Sequence, residues 1–364
     1  MTKQDESGRG VAKKQNRSGE TAEGKALQSA SARRANLIIV GLAVVLVIAA
    51  CVSLLLGRFS ITPGEAIQML LAKVFPITAT WTPQAEAIFF NVRLPRIILA
   101  ILVGCCLATA GAAYQGTFQN PLVSPDILGA SQGAAFGAAL AIILGFSSLM
   151  LSVTAFCFSL ATVFLVLVIS GRAKGNRVLV VVLAGVMVSS LFSAGVSFLK
   201  LVADPTSQLQ EITYWLMGSL AYTKMSEIGL ALPFMLVGCV VLFAMRWKIN
   251  ILTMGDDEAA TMGVDARRIR LIVIFAATIV TAASVAVSGM IGWVGLVIPH
   301  LCRMAVGADY RKLLPASMLG GAAFLLVVDD LARLITTSEI PIGILTAFVG
   351  APFFLYRITR NKKQ

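Results

Sequence analysis

The sequence predicts an all-α integral membrane protein of about ten transmembrane helices, and three observations carry that prediction. Of its 364 residues 57% are hydrophobic and 13% charged, with a mean hydropathy of +0.85, well above the balance of an ordinary soluble domain. The apolar residues gather in runs of about 20, the length that crosses a bilayer as a helix. Those runs are continuous, as at 178–199 and 271–299, where a membrane β-barrel would alternate polarity in strands of about ten residues.

The segments lie near 37–57, 94–116, 127–145, 149–170, 178–200, 228–247, 270–288, 294–308, 313–333 and 340–357. Lys and Arg collect in alternate connections. The tail 1–36 has eight; then come Arg172, Lys174 and Arg177; Arg246, Lys248, Arg267, Arg268 and Arg270; Arg303, Arg311 and Lys312; and Arg357, Arg360, Lys362 and Lys363. The positive-inside rule makes these connections cytoplasmic, which puts both termini inside and fits an even number of spans. The net charge of +12 is therefore a signature of topology, and nucleic acid is not an expected partner.

The tail 1–36, rich in Ser, Gly, Lys and Gln without apolar periodicity, reads as disordered. The transmembrane domain is 37–357, and 358–364 is a second cytoplasmic tail. "VIAAC", ending at Cys51, resembles a lipoprotein cleavage site, but the apolar "VSLLLG" follows where a mature lipoprotein turns polar. The six cysteines sit in or beside apolar segments with no metal spacing and read as small packing residues.

Three connections are long. Residues 58–93 lie outside, with an amphipathic helix over 61–75 starting behind Thr62 and Pro63. Residues 200–226, also outside, hold "DPTSQLQEITYWLMGSL", a short interfacial helix with Tyr214 and Trp215 at the headgroup level. The longest ordered inner connection is 248–268.

The chain has no phosphate-cradling GxxxxGK[ST] loop; "GRAKGNR" at 171–177 lacks the closing Lys-Ser/Thr, so ATP hydrolysis by that route is excluded. Its one histidine, His300, has no partners for metal ligation, and the spans offer no nucleophile with a base beside it. Charges within spans are costly and mark cavities or partners. Asp329 and Asp330 in "FLLVVDDLARL" are followed by Arg333, and Asp329 with Arg333 has the spacing of a pair on one helix face. A structural pair and a functional cluster both stay open. A proton-driven carrier would need acidic or His groups along a whole path, and only this cluster is visible. "RLPR" puts Arg93 and Arg96 outside, against the general bias. Snorkelling to headgroups and docking of an acidic external partner are equal readings. In "SGMIGWVGLVIPHLCR" glycines at 289, 292 and 295 and Pro299 predict a broken or short helix lining a cavity, with His300 a hydrogen-bonded structural residue. "QGTFQNPLVSPDILG", 115–129, interrupts the most apolar region with a polar, Pro-kinked turn.

Together "RLPRIILAILVGCCLATAGAAYQGTFQNPLVSPDILGASQGAAFGAALA" (93–141), "LAGVMVSSL" (183–191), "WLMGSL" (215–220), "MGDDEAATMGV" (254–264), "SGMIGWVGLVIPHLCRMAVGADYRKLLP" (288–315), "DDLARL" and "EIPIGILTAFVGAPFF" (329–354) resemble the FecCD-type permeases of bacterial importers driven by ATP-binding-cassette (ABC) subunits. Members carry ferric siderophores, haem or cobalamin, and the likeness covers roughly 58–357. It implies the type II importer permease fold in the bacterial cytoplasmic membrane: ten helices per subunit, paired as a homodimer or with a paralogue. No cofactor is bound by this chain; two separate ATPase subunits hold ATP and Mg, and an external binding protein delivers cargo. The resemblance implies docking of that protein at Arg93, Arg96 and Arg333, whose replacement by Glu should weaken docking and leave folding intact. It implies an ATPase-coupling helix between Gly255 and Gly263 through Glu258 and Ala259, within 250–268. Gln115, Gln119, Asn120 and Pro121 would border the path, and Leu122 with Val178 and Leu179 the inner gate, apolar where some members carry hydroxyls. Pro299, His300 and Asp329 would be structural. A ferric siderophore is the expected cargo.

Overall fold

The computed structural model describes residues 4–76, 78–173, 177–221, 223–336 and 338–360, and the regular structure among them is helical throughout. The order is α1 (Gln4–Leu55), α2 (Pro63–Leu71), α3 (Pro83–Ile88), α4 (Leu94–Thr117), α5 (Ala130–Ile143), α6 (Ser148–Arg172), α7 (Arg177–Val202), α8 (Gln208–Met217), α9 (Met225–Leu252), α10 (Asp256–Thr261), α11 (Ala266–Ser288), α12 (Val294–Val306), α13 (Tyr310–Leu334) and α14 (Ile342–Arg360). Each of the ten predicted spans coincides with one of α1, α4–α7, α9 and α11–α14. Seven are long and apolar enough to cross a bilayer; α5, α12 and the apolar part of α14 are shorter. The basic segment 172–177 and the tail 358–364 lie partly outside the described residues. Below, "outer" and "inner" name the two ends by the predicted topology.

Local signals set the helix ends. The span in α1 is Ala30–Leu55, and the tail predicted to be irregular continues that helix back to Gln4, since extending an existing helix needs no new nucleus. The predicted helix 61–75 is the shorter α2, opened by a capping box: Thr62 accepts from the Glu65 amide and Glu65 Oε2 accepts from the Thr62 amide at 2.8 Å. A π-turn at Phe89–Arg93 joins α3 to α4.

The centre is built on α4, α11 and α13, the most buried spans. Lipid offers no hydrophobic drive between helices, so their contact rests on close packing of small residues. α4 and α13 run antiparallel in register, from Arg96 beside Asp329 through Gly104 on Gly321 to Gly116 beside Tyr310. A Cβ on Gly104 would lie 2.2 Å from the Gly321 carbonyl oxygen, so only glycine permits this crossing. Tyr114 ties α4 to α11, hydrogen-bonding Thr278 Oγ1 at 2.9 Å. α1 and α7, by contrast, are mostly exposed and present apolar faces.

The short α12 follows an irregular stretch, 289–293, bounded by the positive φ angles of Gly289 (67°) and Trp293 (69°). The helix predicted to be broken or short is the 13-residue α12, which follows the irregular 289–293 and itself runs through Pro299. Pro299 has no N–H for the carbonyl one turn back, that of Gly295. Gly111 of α4 packs against the same oxygen, so closely that a Cβ there would be 1.8 Å away. Pro299 thus leaves that carbonyl without its usual donor one turn on, where two helices meet.

Candidate functional site

Three groups of the predicted residues occupy separate regions, and the outer group is a closed charge network. Arg96 donates Nε and Nη2 to Asp329 at 2.9–3.0 Å, and Nη1 to both oxygens of Glu339 at 2.8 and 3.0 Å. Arg333 donates Nη2 to the Ser53 carbonyl (2.9 Å), to Ser53 Oγ (2.7 Å) and to Asp330. Arg93 donates to the carbonyls of Leu54 (2.7 Å), Leu55 (3.2 Å) and Phe59, fastening the outer end of α1. The predicted i,i+4 pair is thus replaced: Asp329 meets Arg96, 233 residues away, and Arg333 pairs with Asp330 at i,i+3. All three arginines are buried, at 3%, 4% and 8% exposure. Glutamate in place of Arg96 would face Asp329 and Glu339, so the expectation that such a change leaves folding intact is corrected. Glu339, whose side chain is 31% exposed, is the network's most accessible acid.

The second group is the turn 118–129 at the inner end of α4. Gln115, predicted to border the path, is buried: its Oε1 accepts from Arg303 Nη2 at 3.1 Å, and the same nitrogen reaches Tyr310 Oη at 3.1 Å. Gln119 takes φ = 51° and donates to the Leu252 carbonyl at 2.6 Å, capping α9. Asn120 Oδ1 accepts the Leu122 amide at 2.9 Å, which closes the turn behind Pro121. Gln119, Asn120, Pro121 and Leu122 are exposed, as is Leu179, while Val178 is half-buried. The turn then climbs back towards α5 and rests on α7, where a Cβ on Gly185 would stand 2.3 Å from the Ile127 carbonyl oxygen. His300, beside Pro299, meets Phe353 edge-on at 6.1 Å.

The third group is α10. Gly255 starts it with φ = 124° and Gly263 ends it with φ = 74°, as their predicted bounding roles require. Glu258 faces outward, whereas Ala259 is fully buried and supports the helix from below. Sequence reading missed Arg270. Its guanidinium holds both oxygens of Asp256 (2.7 and 3.2 Å) and reaches the Thr117 carbonyl (3.4 Å), linking α10 to the end of α4. Arg270 stood out only as one more charge in a basic run: Asp256 is 14 residues away across a helix boundary, and Thr117 comes from another span.

A cavity of about 730 Å³ lies between α8, 289–293, α14 and the start of α5. Leu216, Met290, Trp293, Ile344 and Phe348 make it largely apolar, and among the described residues Asp126, which accepts from Ser131, is its one acidic wall residue. The stretch 288–303, predicted to line a cavity, supplies 290–293 to its wall, while no local pattern announces the walls from α8, α14 and the start of α5.

Comparison with known proteins agrees with the arrangement. The chain matches the FecCD transport family over residues 29–360 and belongs to it; it is a multi-span ABC-importer permease and not a catalytic enzyme. It is 42% identical to the molybdate import system permease protein MolB of Haemophilus influenzae, over 89% of this chain and 96% of that one. It is 41% identical to the hemin transport system permease protein HmuU of Yersinia pestis, over 76% of this chain and 84% of that one. A solved metal-chelate type ABC transporter in an inward-facing conformation shares 40% identity and superposes with a TM-score of 0.80, over 89% of this chain and 99% of that one.

Proposed function

We propose that this FecCD-family permease forms the membrane path of an importer that carries a ferric siderophore, driven by two separate ATPase subunits that hold ATP and Mg. The cavity of about 730 Å³ carries the cargo reading. Its volume is that of a site for a whole organic ligand, and its apolar walls suit the organic shell of a chelate better than a bare oxyanion. Haem and cobalamin share that bulk and are the alternative cargo. Named relatives span molybdate, haem, cobalamin and iron citrate, so homology alone does not select among them.

Two copies, or one copy and a paralogue, would enclose the path, with both termini cytoplasmic. An external binding protein would dock at the outer face over Arg93, Arg96 and Arg333. Docking there proceeds by exchange: an acidic side chain of the binding protein displaces the accessible Glu339 from Arg96. At the inner face, α10 would fit the ATPase through Glu258 and the exposed Met254 and Met262. Arg270 carries its displacement to the end of α4 and so to the gate at Leu122, Val178 and Leu179.

Reconstitution tests this. Uptake of a radiolabelled ferric siderophore into vesicles should require internal ATP, the ATPase subunits and the binding protein, with haem, cobalamin and molybdate competing poorly. Uptake driven by a proton gradient alone would instead make the chain a secondary carrier.

A further inference from the structure

Folding gathers three of the cysteines that the sequence left scattered. Cys105 and Cys106 of α4 and Cys239 of α9 line one recess of about 240 Å³, with Met235 and Met318 also in its wall. The Sγ atoms of Cys106 and Cys239, 133 residues apart in the chain, are 3.7 Å from each other. Both residues are buried, Cys105 is half-buried, and the recess opens beside the exposed Leu236 and Val240 of α9, on a lipid-facing side. Among the described residues no three His, Cys, Asp or Glu side chains are arranged to hold a metal ion, so the chemistry open to the cluster is sulfur with sulfur. A disulfide has S–S near 2.05 Å, and side-chain rotation must close about 1.7 Å to reach it.

We infer that Cys106 and Cys239 form a thiol modification site, which a hydroperoxide dissolved in the lipid converts to a disulfide stapling α4 to α9. Cys105 is the alternative partner of Cys239. In the first step one sulfur attacks the peroxide, the O–O bond breaks, sulfenic acid forms, and the alkoxide leaves as alcohol with the thiol proton. In the second, the neighbouring thiol attacks the sulfenic sulfur; the S–O bond breaks, S–S forms, and water leaves with the second proton. The two sulfurs lose two electrons in all and the peroxide gains them. The staple would tie α4, which leads to the turn 118–129, to α9, whose last carbonyls that turn caps.

The test uses the full chain in lipid nanodiscs treated with cumene hydroperoxide, then iodoacetamide, digestion and peptide mass spectrometry. The expected product links the Cys105/Cys106 peptide to the Cys239 peptide, disappears with dithiothreitol, and is lost in Cys239→Ala. In Cys106→Ala it persists through Cys105. Cys51 and Cys157, exposed on the outside of the bundle, report that oxidant reached the membrane by carrying sulfenic or sulfinic acid. If those two are oxidised while Cys106 and Cys239 remain fully alkylatable, or if the link survives in Cys239→Ala, the inference is overturned.

Discussion

Replacing Asp329 by Leu leaves the Arg96 guanidinium buried at 4% exposure and removes three of its five hydrogen bonds to carboxylate oxygens. Glu339 alone then compensates the charge. Removing one partner of a buried ion pair costs about 3–5 kcal/mol, because the other charge stays desolvated. With an unfolding entropy of about 2.1 cal/mol/K per residue, a domain of this size loses about 4–7 °C in Tm for that cost. The double variant Arg96→Met/Asp329→Leu should recover most of the loss, since an apolar pair of similar volume is often neutral against a buried ion pair. Thermal unfolding followed by tryptophan fluorescence, at fixed lipid and protein concentration, reads all three proteins. A single variant that melts with the wild type, or a double variant that melts as low as the single ones, would refute the view that Arg96 is first a structural brace. Such a result would instead favour a purely external use of that arginine.

The remaining predictions concern packing, coupling and pH. Gly111→Val puts atoms inside the contact with the Gly295 carbonyl; overpacking of this kind costs about 1–3 kcal/mol or more, and size-exclusion yield of folded protein should fall while that of Gly41→Val does not. Arg270→Met severs α10 from Thr117, so ATPase subunits should still co-purify while cargo-stimulated hydrolysis is lost; retained stimulation would exclude the tie. Glu258→Arg should instead weaken ATPase co-purification itself. Asp204 accepts from the Thr206 hydroxyl and amide and from Ser207, and these bonds hold its carboxyl below the ordinary carboxylate range. A lowered folded-state pKa means that the stabilisation is present above the unfolded value of about 3.9 and fades as pH falls through the folded one. Deuterium uptake over 205–212, corrected for intrinsic rates and compared with Asp204→Asn, should therefore differ at neutral pH and converge in acid.

What the sequence discloses here is what depends on near neighbours along the chain. Hydropathy located all ten apolar helices because burial in lipid is a property of each segment by itself. The start of α2 was legible because Thr62 and Pro63 stand next to each other as cap and first helical residue, whereas α10 between Gly255 and Gly263 was reached through the family resemblance. Pairing across the bundle was not legible. Asp329 has an arginine four residues away and still meets Arg96 of α4, because the antiparallel register sets its neighbours. Arg270 with Thr117 and Cys106 with Cys239 escaped for the same reason. Arg93 and Arg96 were read from the predicted side of the membrane, which speaks to their depth and leaves their burial undetermined.

The short helices bear on how far the electrical barrier extends. α5 has 14 residues and α12 has 13, which at 1.5 Å per residue gives about 20 Å of helix in a hydrocarbon layer of about 30 Å. The turn 118–129, with one 3-10 turn at Pro125–Leu128, and the irregular 289–293 make up the difference, and backbone that leaves the α-helix is tolerated at such depth only where protein or water shelters it. Were water to reach those stretches, it would carry bulk potential inward, and the membrane voltage would fall across the shorter distance. The work per elementary charge stays near 2.3 kcal/mol for each 100 mV, but the field that performs it is about half again as steep. For a charged passenger the voltage-dependent part of the crossing would then be compressed into one short displacement.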